Sequence, residues 1–207
     1  MPVRLNGSTS GYTELSAPAV AGSNTLTLPT GNGTSGQFLQ TNGSGALSWA
    51  GGGKILQVVS TTKTDTFSSA TTGSWLDVTG LSANITPSTS SNKILIFGRI
   101  TGAGTNAVTR MQMRLVRDTT AISIGDAASN RLQVSGNELY TTDTDMYLGS
   151  TIFFLDSPAT SSQVTYKLQV RNGDSGGTIY VNRSAGDADT ALRPRGTSSI
   201  TVMEVAA

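Results

Sequence analysis

The sequence predicts an all-β protein: an extended N-terminal arm followed by an antiparallel jelly-roll sandwich. Three observations carry this. Several segments alternate apolar and polar residues with a period of two, the signature of half-buried strands. They recur every 10–20 residues with loops between them, and no stretch keeps a helical spacing. Composition also changes sharply near residue 53, dividing the chain into residues 1–53 and 54–207.

The first region contains two charged side chains, Arg4 and Glu14, among many Gly, Ser, Thr and Asn residues. Small apolar groups appear at intervals: Val3 with Leu5, Leu26 with Leu28, Phe38 with Leu39, and Leu47 with Trp49. Turn signals separate them, at Asn6-Gly7, Asn42-Gly43 and Gly51-Gly52-Gly53. None of these groups is large enough to offset the cost of ordering its own backbone, about 1–2 kcal/mol per residue. Either the arm is disordered, or neighbouring copies or a docking partner complete its strands. The recurrence of the apolar pairs favours completion.

The second region reads as a sandwich. Residues 163–171 alternate throughout, with Val164, Tyr166, Leu168 and Val170 on one face. Residues 109–115 do the same with Met111, Met113 and Leu115. Residues 54–59, 93–97, 146–155, 178–181 and 199–205 supply further strands. The segment 146–155 is apolar on both faces, which predicts a strand covered on both sides. Packing such strands as two sheets leads to a jelly roll or a related sandwich.

The chain of 207 residues has no His and no Cys. There is therefore no imidazole base, no Ser-His or Cys-His nucleophile pair, no disulfide and no thiolate metal site. Fourteen basic residues against 13 acidic ones give a net charge of +1, so no electrostatic footprint marks a nucleic-acid partner. Charged residues are 13 % of the chain, well below the roughly 25 % of an ordinary soluble domain. A surface hydrated by Ser, Thr and Asn, part of it buried between subunits, is the expectation. No stretch approaches the length of about 18 apolar residues that would span a bilayer, and the N-terminus lacks the apolar core of a secretion signal. Asn-x-Ser/Thr triplets at Asn6, Asn32, Asn42, Asn84 and Asn182 carry no weight in so Ser/Thr-rich a chain.

Several motifs imitate chemistry. Gly173-Asp174-Ser175-Gly176-Gly177 matches the surroundings of a serine-protease nucleophile, but with no His it reads as a hairpin turn. Gly31-Asn32-Gly33-Thr34-Ser35-Gly36 matches G-x-G-x-x-G, yet no helix follows and no acid lies near residue 55, so it is a connector. Asp143 with Asp145, and Asp187 with Asp189, fall short of the six to eight oxygens that calcium takes. Nothing marks a carboxylate pair for glycoside hydrolysis. Glu204, set between apolar residues of the last strand, needs a buried partner, for which Arg99, Arg110 or Arg114 are candidates. Arg193-Pro194-Arg195 reads as a solvated loop. The expectation is a protein without cofactor, metal or catalytic role.

Residues 5–12 (LNGSTSGY) and 17–29 (APAVAGSNTLTLP) resemble the N-terminal segments of bacteriophage tail-fibre and virion-appendage proteins. Residues 36–45 (GQFLQTNGSG) followed by Leu47-Ser48-Trp49 are similar to a linker found in such proteins, those of cyanophages especially. The second region, down to Ile200-Thr201-Val202-Met203-Glu204, resembles their C-terminal knobs, jelly rolls of the TNF/C1q-like kind. The resemblance implies a virion location and a homotrimer. It further implies contact with other virion proteins of the tail, neck or capsid, and a host-surface glycan as a further partner. The balanced charge and the lack of a long apolar stretch add the expectation of no nucleic-acid partner and no membrane insertion. Val3, Leu5, Tyr12, Leu15, Leu26 and Leu28 are then the candidates for docking on the virion. Loops carrying Thr141, Asp143, Asp145, Asp174, Asp187 and Asp189 are the candidates for receptor contact. Two structural roles follow, a short fibre that binds the host through its knob, or a capsid decoration protein whose arm clamps capsomers. A depolymerase is the enzymatic alternative.

Overall fold

The computed structural model describes residues 3–20, 22–105, 109–173 and 176–207. The chain forms two compact units, residues 1–53 and 54–207, and the described residues contain no helix.

The first unit holds two antiparallel hairpins. Strands β1 (Val3–Asn6) and β2 (Tyr12–Leu15) pair with Val3 opposite Leu15 and Asn6 opposite Tyr12. Strands β3 (Gln37–Thr41) and β4 (Leu47–Gly51) pair with Leu39 opposite Trp49. The glycine-rich connector before β3 forms no helix, and it seats Trp49. The indole Nε1 donates to the Gly31 carbonyl at 2.6 Å, and a Cβ on Gly33, whose φ is 69°, would lie 2.7 Å from the ring.

The second unit contains β5 (Ile55–Lys63), β6 (Phe67–Ser69), β7 (Trp75–Ile85), β8 (Lys93–Gly104) and β9 (Arg110–Arg117). Then come β10 (Thr120–Ile122), β11 (Leu139–Tyr140), β12 (Leu148–Asp156), β13 (Val164–Asn172), β14 (Ile179–Val181) and β15 (Ser198–Val205). Four antiparallel pairings nest inside one another: β5 with β15, β7 with β13, β8 with β12, and β9 with β10 and β11. This is one long hairpin, doubled back and rolled. Pairing of β15 with β8 joins the first and third rungs into one sheet, and pairing of β13 with β9 joins the second and fourth into another. Short β14 and β6 lengthen the first sheet. Nested rungs alternating between two sheets define a jelly roll, with the TNF/C1q-like strand order.

The core lies between the sheets. It is built from Leu81, Ala83 and Ile85 of β7, Ile94, Ile96 and Ile100 of β8, Met111, Met113 and Leu115 of β9, the alternating face of β13, and Ile200 and Val202 of β15. One polar tie crosses it. The hydroxyl of fully buried Tyr166 donates to Asp156 Oδ2 at 2.6 Å, and Arg117 Nη1 reaches both oxygens of that carboxylate at 3.0 and 2.9 Å. Asp156 ends β12 in the first sheet, whereas Arg117 and Tyr166 belong to the second, so the three side chains fasten the sheets together. Burial, then the bond to the Asp156 carboxylate and its charge, raises the Tyr166 phenol far above its usual range.

Strand directions give this unit two distinct ends. Lys54 meets the last residues at one end, where the Ala206 amide donates to the Lys54 carbonyl at 2.8 Å. The starts of β8 and β13 and the ends of β7, β9, β12 and β15 lie there too. Loops 64–74, 141–147 and 182–197 project from the opposite end.

The segment predicted to be covered on both sides is covered on one. In β12, Ser150 and Ile152 are buried, but Phe153 is 68 % and Leu155 44 % exposed. Among the described residues of this unit, no second layer covers the side chains pointing away from the core.

Candidate functional site

The outer face of the first sheet carries an apolar patch toward its Lys54 end. Register places Val58, Met203, Leu95 and Leu155 side by side on β5, β15, β8 and β12. In the next row Ser60, Thr201, Phe97 and Phe153 align, and the two phenylalanine rings meet edge to face with centroids 4.9 Å apart. The third row, Thr62, Ser199, Arg99 and Thr151, is polar and bounds the patch. A hollow lined by Phe97, Gly98, Arg99, Thr151 and Phe153 sits at the boundary. Exposed aromatic and aliphatic side chains in one contiguous patch with a polar rim are what a subunit interface requires.

The arm repeats the pattern on a smaller scale. Residues directly opposite in an antiparallel pair share a face, so Val3, Leu5 and Leu15 fall together with Thr13, all three apolar side chains at least 60 % exposed. The other face is polar. Arg4 Nε pairs with Glu14 at 2.6 Å and its guanidinium lies 4.3 Å from the centroid of the Tyr12 ring. Of the six docking candidates, three therefore form one apolar face and Tyr12 belongs to the opposite one. Leu26 and Leu28, also exposed, flank Thr27, which bridges to Ala46 beside the second hairpin.

Asp143, Asp145, Asp187 and Asp189 gather at the end opposite Lys54, in the loops that precede β12 and β15. Asp143 Oδ1 accepts from the Asp145 amide at 2.8 Å, Asp145 Oδ1 pairs with Arg193 at 2.7 Å, and Asp187 pairs with Arg195 at 2.7 Å and Arg183 at 3.5 Å. Asp187 and Asp189 line a polar cleft of about 260 Å³ with Thr190, Arg193 and Arg195. Of the arginines predicted to be simply solvated, Arg193 ties its loop to the 141–147 loop through Asp145, and Arg195 pairs with Asp187 inside its own loop. No group of three acidic residues fit for a metal exists among the described residues. Thr141 is a correction: it is fully buried, its hydroxyl bonded to the Gly104 amide and carbonyl, and it offers nothing to a receptor. Asp174, with Ser175 of the protease-like motif, lies outside the described residues. Buried Asn182, with φ of 64°, roots the loop cluster. Its amide donates to the Lys63 and Asp65 carbonyls, and its Oδ1 accepts from Ser198 and Thr101.

Glu204 is also corrected, because no arginine reaches it. Arg99, Arg110 and Arg114 all point away from the core, whereas Glu204 points into its end. There Oε1 accepts from the Ser88 amide, the Ser88 hydroxyl and Asn92 Nδ2, at 2.6–2.7 Å. Burial opposes the charge, but the bonds from Asn92 and Ser88 outweigh it and hold the carboxyl below its ordinary 4.5. A carboxyl lowered by folding adds stability that is complete above the unfolded value and is lost as pH falls through the folded one. Glu204→Ala is expected to cost roughly 2 kcal/mol at neutral pH. In urea titrations the gap from the parent protein should narrow below about pH 4; a gap that stays constant to lower pH would remove the role of the charge.

The outer face of the second sheet was missed by sequence reasoning, since its side chains meet only through the β9–β13–β7 register. Arg114 Nε donates to Gln169 Oε1 at 2.7 Å, Gln169 Nε2 to Asp77 at 2.6 Å, and Lys167 to the other Asp77 oxygen at 2.8 Å. Beside it Arg171 donates to Gln112 at 2.6 Å, Gln112 to Glu138 at 3.0 Å, and Arg110 to Glu138 at 2.8 Å. Arg114 lies 4.4 Å from the Trp75 ring centroid and Arg110 5.0 Å from that of Tyr140.

Fold and surfaces together define a jelly-roll knob with a strand-rich arm, each carrying an uncovered apolar face. No protein-family model and no curated protein matches the sequence. Among solved structures the chain is similar to one in the structure of infectious bursal disease virus, Gx strain, with a TM-score of 0.39 and 16 % identity. The match covers 95 % of this chain and 43 % of that one, so the chain spans less than half its length.

Proposed function

We propose that this protein is a structural component of a bacteriophage virion, a short homotrimeric fibre attached by its N-terminal arm and contacting the host surface through its knob. It acts by assembly and binding, not by turnover. The observation that carries the reading is the pair of uncovered apolar faces. Val3, Leu5 and Leu15 on the arm, and the Val58–Met203–Leu95–Leu155 row with Phe97 and Phe153 on the knob, are built to be covered by other chains. The knob face serves neighbouring copies and the arm face serves the particle. The copy number of three is the one the sequence resemblance implies. Attachment through residues 1–53 is supported by the entry of the chain into the knob at Lys54, which leaves the loop cluster at the free end.

Gold-conjugated antibody on intact virions tests the placement. Label at the tail or neck is expected. Label spread over the head would replace the fibre with a capsid decoration protein whose arm clamps capsomers. In either case protein lacking residues 1–53 should fail to join particles while keeping its number of subunits, and normal incorporation of the truncated protein would overturn the role of the arm.

A further inference from the structure

We infer that Arg99 and the hydroxyls beside it form an anion site, completed between copies of the knob, that takes a small tetrahedral oxyanion of the phosphate or sulfate class. Arg99 is exposed in the interior of the first sheet, at the polar border of the apolar patch. Ser199 and Thr151 stand directly opposite it on β15 and β12, so the three side chains leave the same face as one row. Among the described residues, no hydrogen bond or ion pair engages any of the three. A guanidinium offers only donors and keeps its charge at any pH at which proteins fold. The row is therefore a fixed positive charge flanked by two hydroxyls that can donate with it. The hollow beside it, about 280 Å³, has the Phe97 and Phe153 rings as its apolar wall.

Arg117, Arg183, Arg193 and Arg195 each pair with an aspartate. The face around Arg99 has none to offer. The outward side chains of β5, β15, β8 and β12 include Lys93 and Arg99 but no carboxylate, because Asp156 and Glu204 point inward. The inference rests on the reading that copies meet on this face. In a closed trimer the three copies of Arg99 lie at the corners of one triangle, since rotation leaves height along the axis unchanged. Covering the apolar patch draws water from its border, and like charges there repel more strongly as the dielectric falls. The guanidiniums cannot shed their protons, and no side chain of the face compensates them. An oxyanion from solution does so. It accepts bidentately from the planar forks and singly from the hydroxyls of Thr151 and Ser199. A tetrahedral ion, with acceptors on every side, can serve forks arriving from different copies; chloride has no such spread of acceptors.

Dissociation of the purified full-length protein on dilution, followed by sedimentation, tests this in chloride, phosphate and sulfate of matched ionic strength. A ligand held only by the assembled form stabilises it by mass action. Low millimolar phosphate or sulfate should therefore move dissociation of the parent to protein concentrations at least about tenfold lower than in chloride. Arg99→Gln should assemble in chloride as well as the parent does and gain nothing from either oxyanion. Exposed Arg131→Gln should keep the full response. Arg99→Lys, which retains the charge without the fork, should keep only part of it. A parent oligomer indifferent to both oxyanions, or a response that survives Arg99→Gln, would overturn the inference and leave the meeting of copies intact. Weaker assembly of Arg99→Gln in chloride would do the same, by showing that an acid of the neighbouring copy already holds the guanidinium. Protein that stays monomeric in every buffer would remove both the site and the reading beneath it.

Discussion

Protein carrying Phe97→Asp and Phe153→Asp is expected to sediment as a monomer with an unchanged far-ultraviolet spectrum. Both rings point away from the core and meet each other on the outer face, so neither contributes to packing between the sheets, and β8 keeps its ladders to β12 and β15. In the oligomer each ring would lose its water-exposed surface to a neighbour, worth about 1.5–3 kcal/mol per side chain. Replacing that surface with carboxylates adds the cost of burying unpaired charge. A combined penalty of several kcal/mol corresponds to a weakening of association by roughly a thousandfold or more. The single substitution Arg99→Ala, in the polar rim, should change the mass distribution little. An oligomer that survives both aspartates would show that this face is not where copies meet.

The second large effect is on stability. Asp156→Ala leaves the Arg117 guanidinium without its bidentate partner and the Tyr166 hydroxyl without an acceptor, one of them wholly buried. Breaking a buried, hydrogen-bonded charge pair by removing one member typically costs about 3–5 kcal/mol. Tyr166→Phe removes only the neutral donor and should cost about 1–2 kcal/mol. For a unit of this size, thermal melting should fall by roughly 2–4 °C per kcal/mol, so the two variants separate clearly. Equal melting temperatures for the two would mean that Arg117 finds solvent and that the tie contributes only its tyrosine bond.

Strands buried on one face were legible wherever alternation ran unbroken, as in β13 and β9. Strand β7 was not, although it is eleven residues long. Its inward side chains are Val78 and then Leu81, Ala83 and Ile85, so the phase reverses at Gly80, whose φ is 79°. There β13 skips register between Lys167 and Gln169. Five residue steps of β7, Ser82 to Asp77, face two of β13, so an irregularity of three extra residues restores the inward face, and period-two reading has no way to see across it. Strand β8 was legible to Phe97 and hidden beyond, because Thr101, Gly102, Ala103 and Gly104 pack closely but look like a loop. For the site, the apolar dipeptides of the arm were visible, but their sorting into faces needed the hairpin register. The Arg–Gln–carboxylate relays joining β7, β9, β13 and the approach to β11 depend on which strands become neighbours. No local pattern encodes that.

The nested pairing also sets the order of assembly. Strand β15 emerges after the other fourteen during synthesis, yet it occupies the interior of its sheet between β5 and β8. Until it inserts, β5 has no ladder partner, and Thr201 and Met203 are missing from the middle of the apolar patch. Contacts of such long sequence separation form slowly. The apolar face that we propose as the meeting surface of copies therefore comes into being only when the individual knob is complete. Half-made chains on a crowded polysome carry no finished patch by which to join, so under the proposed assembly maturation of the monomer would act as its timer.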